Sequence, residues 1–173
     1  MLVKVQWFLV LAVGLCMFGA GVTTPLAAAP AHVSEADFSY VPPTGWKVAP
    51  FPGAKYHVAY GRPVAGFAPN LNFVDESVGV PLARYAQLNI QQMNLHFPGF
   101  HLQSQTPFTT ASGLRGVKIV AQTKPQGKVL QQIFFMFPDH GSKKFVGTAS
   151  TLASDGAKYD RVVDAAMKTF TVK

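Results

Sequence analysis

A chain of 173 residues, 49% apolar and 12% aromatic with 14 Phe, has the length of one domain. That composition builds a core without help from disulfides or metals. Charged residues make up only 13%, with a basic balance of +7. They are scattered, Lys143-Lys144 being the one adjacent basic pair, and no basic run interleaves with aromatics, which argues against nucleic-acid binding.

The N-terminus accounts for part of the apolar content. Residues 1–4 give a short positive start and residues 5–22 an almost continuous apolar run. Gln6, Gly14, Gly19 and Gly21 weaken it as a bilayer span. Small residues follow, and Ala29-Pro30-Ala31 has the A-x-A form of a signal-peptidase site. The expectation is a signal peptide over residues 1–31 and a single exported domain over 32–173, secreted or periplasmic. An uncleaved membrane anchor is the alternative. Cys16 is the only cysteine, and Leu15 stands before it where a lipoprotein signal wants a small residue. With the leader removed, no disulfide can form. Loss of Lys4 leaves 14 basic residues against 8 acidic ones, a net charge of +6, which favours weak attraction to anionic envelope surfaces.

Residues 32–37 are a polar lead-in, and residues 38–41 alternate as an opening strand does. Pro42-Pro43-Thr44-Gly45 forces a turn before Trp46, which reads either as a core anchor or as a ligand-stacking ring. In residues 55–60 the alternation puts Tyr56, Val58 and Tyr60 on one face and Lys55 and His57 on a solvated one. Gly61 and Gly66 have the spacing of a phosphate loop, but no Lys-Ser/Thr completes it.

Residues 71–74 read as a strand that ends in Asp75-Glu76, the only adjacent acidic pair. Neighbours on a strand point to opposite faces, so the pair predicts a solvated strand end in preference to acid–base chemistry. Pro81 suits the first position of a helix. Leu82, Ala86, Ile90, Met93 and Phe97 then form one apolar stripe predicted to pack on a sheet. Leu88 and Leu95 project away from it beside Arg84, as ordinary surface or as a small partner-docking patch. His96 and His101 flank the Phe97-Pro98-Gly99 turn and are only weak metal candidates, since no third ligand clusters with them.

The remainder predicts an antiparallel meander. Residues 100–109 form a strand disturbed by Pro107, residues 117–122 the next, and Lys124-Pro125-Gln126-Gly127 a tight connection. Residues 129–137 carry apolar groups on both faces and predict a central strand covered on both sides. A last strand covers residues 145–150. Ser154 or Asp155 caps a final helix with a Tyr159, Val162, Val163, Ala166, Phe170 stripe and an Asp164–Lys168 pair. Asp139-His140 has no motif partner to complete a catalytic set, and no G-x-S-x-G occurs.

Several short motifs occur in a fixed order: Pro42-Pro43-x-Gly45-Trp46, Ala68-Pro69-Asn70-Leu71-Asn72-Phe73, and Pro81-Leu82-x-x-Tyr85 opening a helix. Phe108-Thr109-Thr110, Gly113-x-x-Gly116-x-Lys118, Gln131-Gln132-x-Phe134-Phe135 and Met167-Lys168-Thr169-Phe170 follow. This order resembles the PsbP-like fold group, which includes the extrinsic photosystem II subunit and many exported bacterial proteins. The resemblance spans about residues 38–170 and is nearest to the exported bacterial branch. It implies an α+β fold, a central antiparallel sheet with helices on both faces (an α/β/α sandwich). It also implies no enzymatic activity, no cofactor, and action through a protein partner or larger assembly. The cation sites of the photosystem branch are not carried over, because no motif matches them to His96, His101 or Asp139.

The leading functional expectation is an exported, non-catalytic accessory protein of the envelope, with Arg84, Leu88 and Leu95 as its partner surface. The alternative is a small-ligand or lipid carrier with a Phe-lined cavity between sheet and helices. A hydrolase using His140 or Asp75 is the third class.

Overall fold

In a computed structural model of the chain, residues 32–139 and 141–173 are described. The signal segment expected over residues 1–31, with Cys16, and His140 lie outside them.

The first strands are short: β1 (Val33–Ser34), β2 (Phe38–Tyr40), β3 (Lys47–Ala49) and β4 (Val58–Tyr60). β5 (Asn70–Ser77) leads into helix α1 (Leu82–His96). A meander of long strands follows: β6 (His101–Thr109), β7 (Arg115–Thr123), β8 (Leu130–Pro138) and β9 (Lys143–Leu152). Helix α2 (Gly156–Lys168) and β10 (Thr171–Val172) close the chain. Seven strands make one antiparallel sheet in the order β3-β4-β5-β9-β8-β7-β6, and β1-β2-β10 make a separate three-stranded sheet. The α+β sandwich expected from the sequence is therefore present. The small sheet was not foreseen: Thr171 and Val172 return to pair with Ser39 and Phe38, so the two ends of the domain are joined by backbone.

β8 is buried from Leu130 to Phe137, as its two-sided apolar pattern predicts. Val129 is the exception; it precedes the strand and stays exposed. On one face, Phe134 and Met136 join Ile119, Ala121 and Val146 beneath Tyr85, Ala86 and Met93 of α1. On the other, Ile133, Phe135 and Phe137 meet Val163, Met167 and Phe170 together with Phe38 of the small sheet. Rings dominate this second layer. Phe38 lies 4.8 Å from Phe73, and Phe170 stacks on both Phe73 (5.6 Å, 12°) and Phe137 (4.9 Å, 13°).

The α1 stripe packs as expected, with Tyr85 added to it and Leu82, Ile90 and Phe97 partly covered. Pro81 precedes the helix as its cap residue, its carbonyl accepting from the Tyr85 amide. On α2, Met167 takes the buried position expected of Val162, which is exposed. Neither Ser154 nor Asp155 caps α2 with its side chain; Ala153–Asp155 is a 3-10 turn that runs directly into the helix. Trp46 packs partly buried against the core, edge-on to Tyr159 at 6.1 Å, as an anchor does. Tyr56 leaves the face predicted for it. The strand starts only at Val58, which frees Tyr56 to turn into the ring cluster.

Candidate functional site

Helix α1 crosses the sheet over β7 and β8, and what it turns away from them is the surface the sequence singled out. Arg84, Leu88 and Leu95 stand at i, i+4 and i+11, one stripe of the helix. Arg84 is exposed, Leu88 half-buried, and Leu95 70% exposed, more than any other large apolar residue described. The chain then turns through Phe97-Pro98-Gly99 into β6, an outer edge of the large sheet. β6 is exposed along its whole length except Phe108. An edge this long invites pairing with other chains, and two features oppose it. Pro107 removes a backbone donor, and the register shifts between Leu102 and Ser104.

His96 and His101 are both exposed, on the two sides of that turn. Among the described residues, no group of three His, Cys, Asp or Glu is placed to hold a metal ion.

The acidic pair does point to opposite faces, but it is not a solvated strand end. Asp75 and Glu76 lie within β5, paired to Phe145 and Lys144 of β9. Both Asp75 carboxylate oxygens accept from Lys55 Nζ, at 2.7 and 2.8 Å. Lys143 stands 4.0 Å from Asp75 and 3.4 Å from Asp37. Tyr56 donates its hydroxyl to Asp37 at 3.1 Å, and that bond, with Lys143, holds the Asp37 carboxyl below its ordinary value. The network ties the lead-in of the small sheet to β5. On the opposite face Glu76 accepts from the Tyr85 hydroxyl at 3.0 Å, anchoring the first turn of α1. Burial pushes the Glu76 carboxyl up, with the Asp75 charge adding to it and the Tyr85 bond opposing. His57 is exposed as predicted, its Nδ1 3.0 Å from Glu35.

Sequence reasoning missed a polar row on the α1 side of the sheet. Thr123, Gln132, Ser150 and Asn70 are all nearly or fully buried there, although each lies in a strand that also carries large apolar residues. Thr123 Oγ1 donates to Gln132 Oε1 at 3.1 Å, and Gln132 Nε2 to Ser150 Oγ at 3.3 Å. The hint in the sequence is Gln132, a polar residue on the Leu130, Phe134 and Met136 face of β8.

The comparisons with known proteins rest on structure. The sequence matches no family model and no curated protein. Cyanobacterial PsbP (CyanoP) from Synechocystis superposes with a TM-score of 0.63 at 12% identity, over 90% of this chain and 98% of that one. The fold is PsbP-like. LpqN, involved in cell envelope biogenesis of Mycobacterium tuberculosis, matches with a TM-score of 0.64 at 15% identity, over 84% of this chain and 90% of that one. PA94 of Pseudomonas aeruginosa, of unknown function, matches with a TM-score of 0.58 at 14% identity over 72% and 94%. The PsbP-like core thus covers nearly the whole of each neighbour. Among the described residues, no helix is long and apolar enough to cross a membrane.

Proposed function

We propose that the chain is an exported accessory protein of the cell envelope that works by docking to a protein partner and carries out no catalysis. The leader-like residues 1–31 supply the address. The fold shared with LpqN, which is involved in cell envelope biogenesis, supports an envelope role by analogy. The observation that carries the docking surface is Leu95, 70% exposed on a helix whose opposite stripe packs on the sheet. Arg84 and Leu88 extend the stripe, giving a partner an apolar seat beside a positive charge. Docking is tested by charging Leu88 and Leu95 and recovering partners from crosslinked envelopes. Loss of the partner with folding retained supports this surface, and unfolding instead would make the leucines core.

A carrier with a Phe-lined cavity between sheet and helices is less well supported. Phe38, Phe73, Phe137, Phe145 and Phe170 are at most 2% exposed and pack ring against ring, which fills that space with side chains.

A further inference from the structure

We propose that the chain also binds a small neutral ring carrying one N–H or O–H donor, of the phenol or indole class, over β4 and β5 near the β3 side of the large sheet, with Asn70 as the acceptor. This goes beyond the docking surface and uses none of its residues. A cavity of about 230 Å³ opens there, lined by Pro50, Phe51, Pro52, Val58, Tyr60, Ala68 and Asn70. An apolar cavity of about 150 Å³ accepts benzene, and drug-sized ligands need about 300 Å³ or more. The volume therefore suits one or two fused rings. Proline and aromatic faces make flat walls for such a ring. No charged side chain lines the cavity, which favours a neutral ligand.

Asn70 supplies the polar contact. It is 4% exposed, and its Nδ2 donates to the Ala68 carbonyl at 3.1 Å. Because a carbonyl must receive the NH₂ end, the amide orientation is fixed and Oδ1 is the end left over. That oxygen has no hydrogen-bond partner within the protein. In the strand register Asn70 stands between Tyr60 of β4 and Ser150 of β9. The polar row thus runs from Thr123 through Gln132 and Ser150 to the residue that faces the cavity. An acceptor without a partner asks for a donor, and the apolar walls ask that the rest of the ligand be a hydrocarbon ring. Oδ1 is covered in the unliganded chain, so the ring reaches it by parting the lining.

The test is an NMR titration of the purified protein with indole and with 1-methylindole, which lacks the donor. Indole is expected to shift the Val58, Tyr60 and Asn70 amides saturably. 1-Methylindole should bind about tenfold more weakly, the worth of one neutral hydrogen bond. Asn70→Leu should bring indole down to the 1-methylindole level, and Ala68→Leu, which fills the cavity and keeps Asn70, should weaken both. Equal binding of the two indoles to the native chain, or no saturable shift with indole, would overturn the proposal. The first result would leave a water as the partner of Oδ1.

Discussion

Lys118 Nζ donates to Asp164 Oδ1 at 2.6 Å, joining the middle of β7 to α2 across the face of the large sheet. The ammonium side is well buried, with 14% of the Lys118 side chain exposed against 36% of Asp164. The same lysine lies 5.7 Å from the Phe135 ring centroid. Its charge also reaches Asp160, whose carboxyl burial pushes up while Lys118 pulls it down and Asp164 pushes it up again. Lys118 therefore serves two carboxylates and a ring.

Lys118→Met should destabilise the domain by about 1–3 kcal/mol at neutral pH, since it strands a charged partner. Adding Asp164→Leu should restore most of the loss, because two apolar groups replace an ion pair. The defect also has a sign in pH. Asp160 is raised in the folded state, so its contribution to stability is lost as pH rises from the ordinary carboxylate range through its folded value. Removing Lys118 raises it further, so the single variant should recover towards native stability on acidification. Urea unfolding at several pH values measures both effects.

Glu76 gives a second pH prediction, at the other helix. Its raised carboxyl means that stability is fully present below the ordinary glutamate value and falls as pH climbs through the folded one. Glu76→Gln keeps an acceptor for the Tyr85 hydroxyl and removes the charge. The difference in stability between the variant and the native chain should therefore move in favour of the variant as pH rises. A difference independent of pH would show that Glu76 is not strained by its surroundings.

Gly116 tests how tightly β7 meets β8. A Cβ there would lie 2.5 Å from Phe137 Cδ1 and 2.6 Å from the Met136 carbonyl oxygen. A ring can shift, but a ladder carbonyl cannot move without its strand. Gly116→Ala should cost about 3 kcal/mol, the upper part of the range for overpacking. That corresponds to a fall in Tm of roughly 10 °C for a domain of this size. Thermal unfolding followed by circular dichroism measures it.

Leu95 and Leu88 differ in what a charge should do. Leu95→Asp touches a 70% exposed position and should leave stability within about 0.5 kcal/mol. Leu88→Asp, at a half-buried position, should cost more yet leave the fold intact. Both should reduce recovery of the docked partner, and equal loss from the mild variant would assign the effect to the surface. Denaturant melts of each variant run beside the crosslinking.

Where periodicity is long and apolar, the sequence carries the structure. The 82-86-90-93-97 stripe and the doubly covered residues 130–137 both follow from spacing alone. Pairings between distant segments do not. Asp164 and Lys168 stand four apart on α2, which predicts a pair, yet Asp164 pairs with Lys118 instead. Lys168 reaches the Thr109 carbonyl and lies over the Phe108 ring. A local pair on an exposed helix face is worth only a few tenths of a kcal/mol, so a better-buried partner across the fold displaces it. Asp75 is misread for the same reason. Lys143 comes to it through the β5–β9 register and Lys55 from the bend before β4, and no local pattern encodes either. The signal in the Arg84, Leu88 and Leu95 stripe was legible because an apolar residue on the wrong side of a helix stands out from the periodicity itself.

The docking proposal is tested most directly by a photocrosslinking amino acid placed at position 95 and, as a control, at exposed Ala157 on α2, in cells producing the full chain. A discrete adduct in the envelope fraction from position 95, absent from position 157 and lost when Leu88→Asp is added, is the predicted result. No adduct from position 95, or the same adduct from both positions, would contradict it.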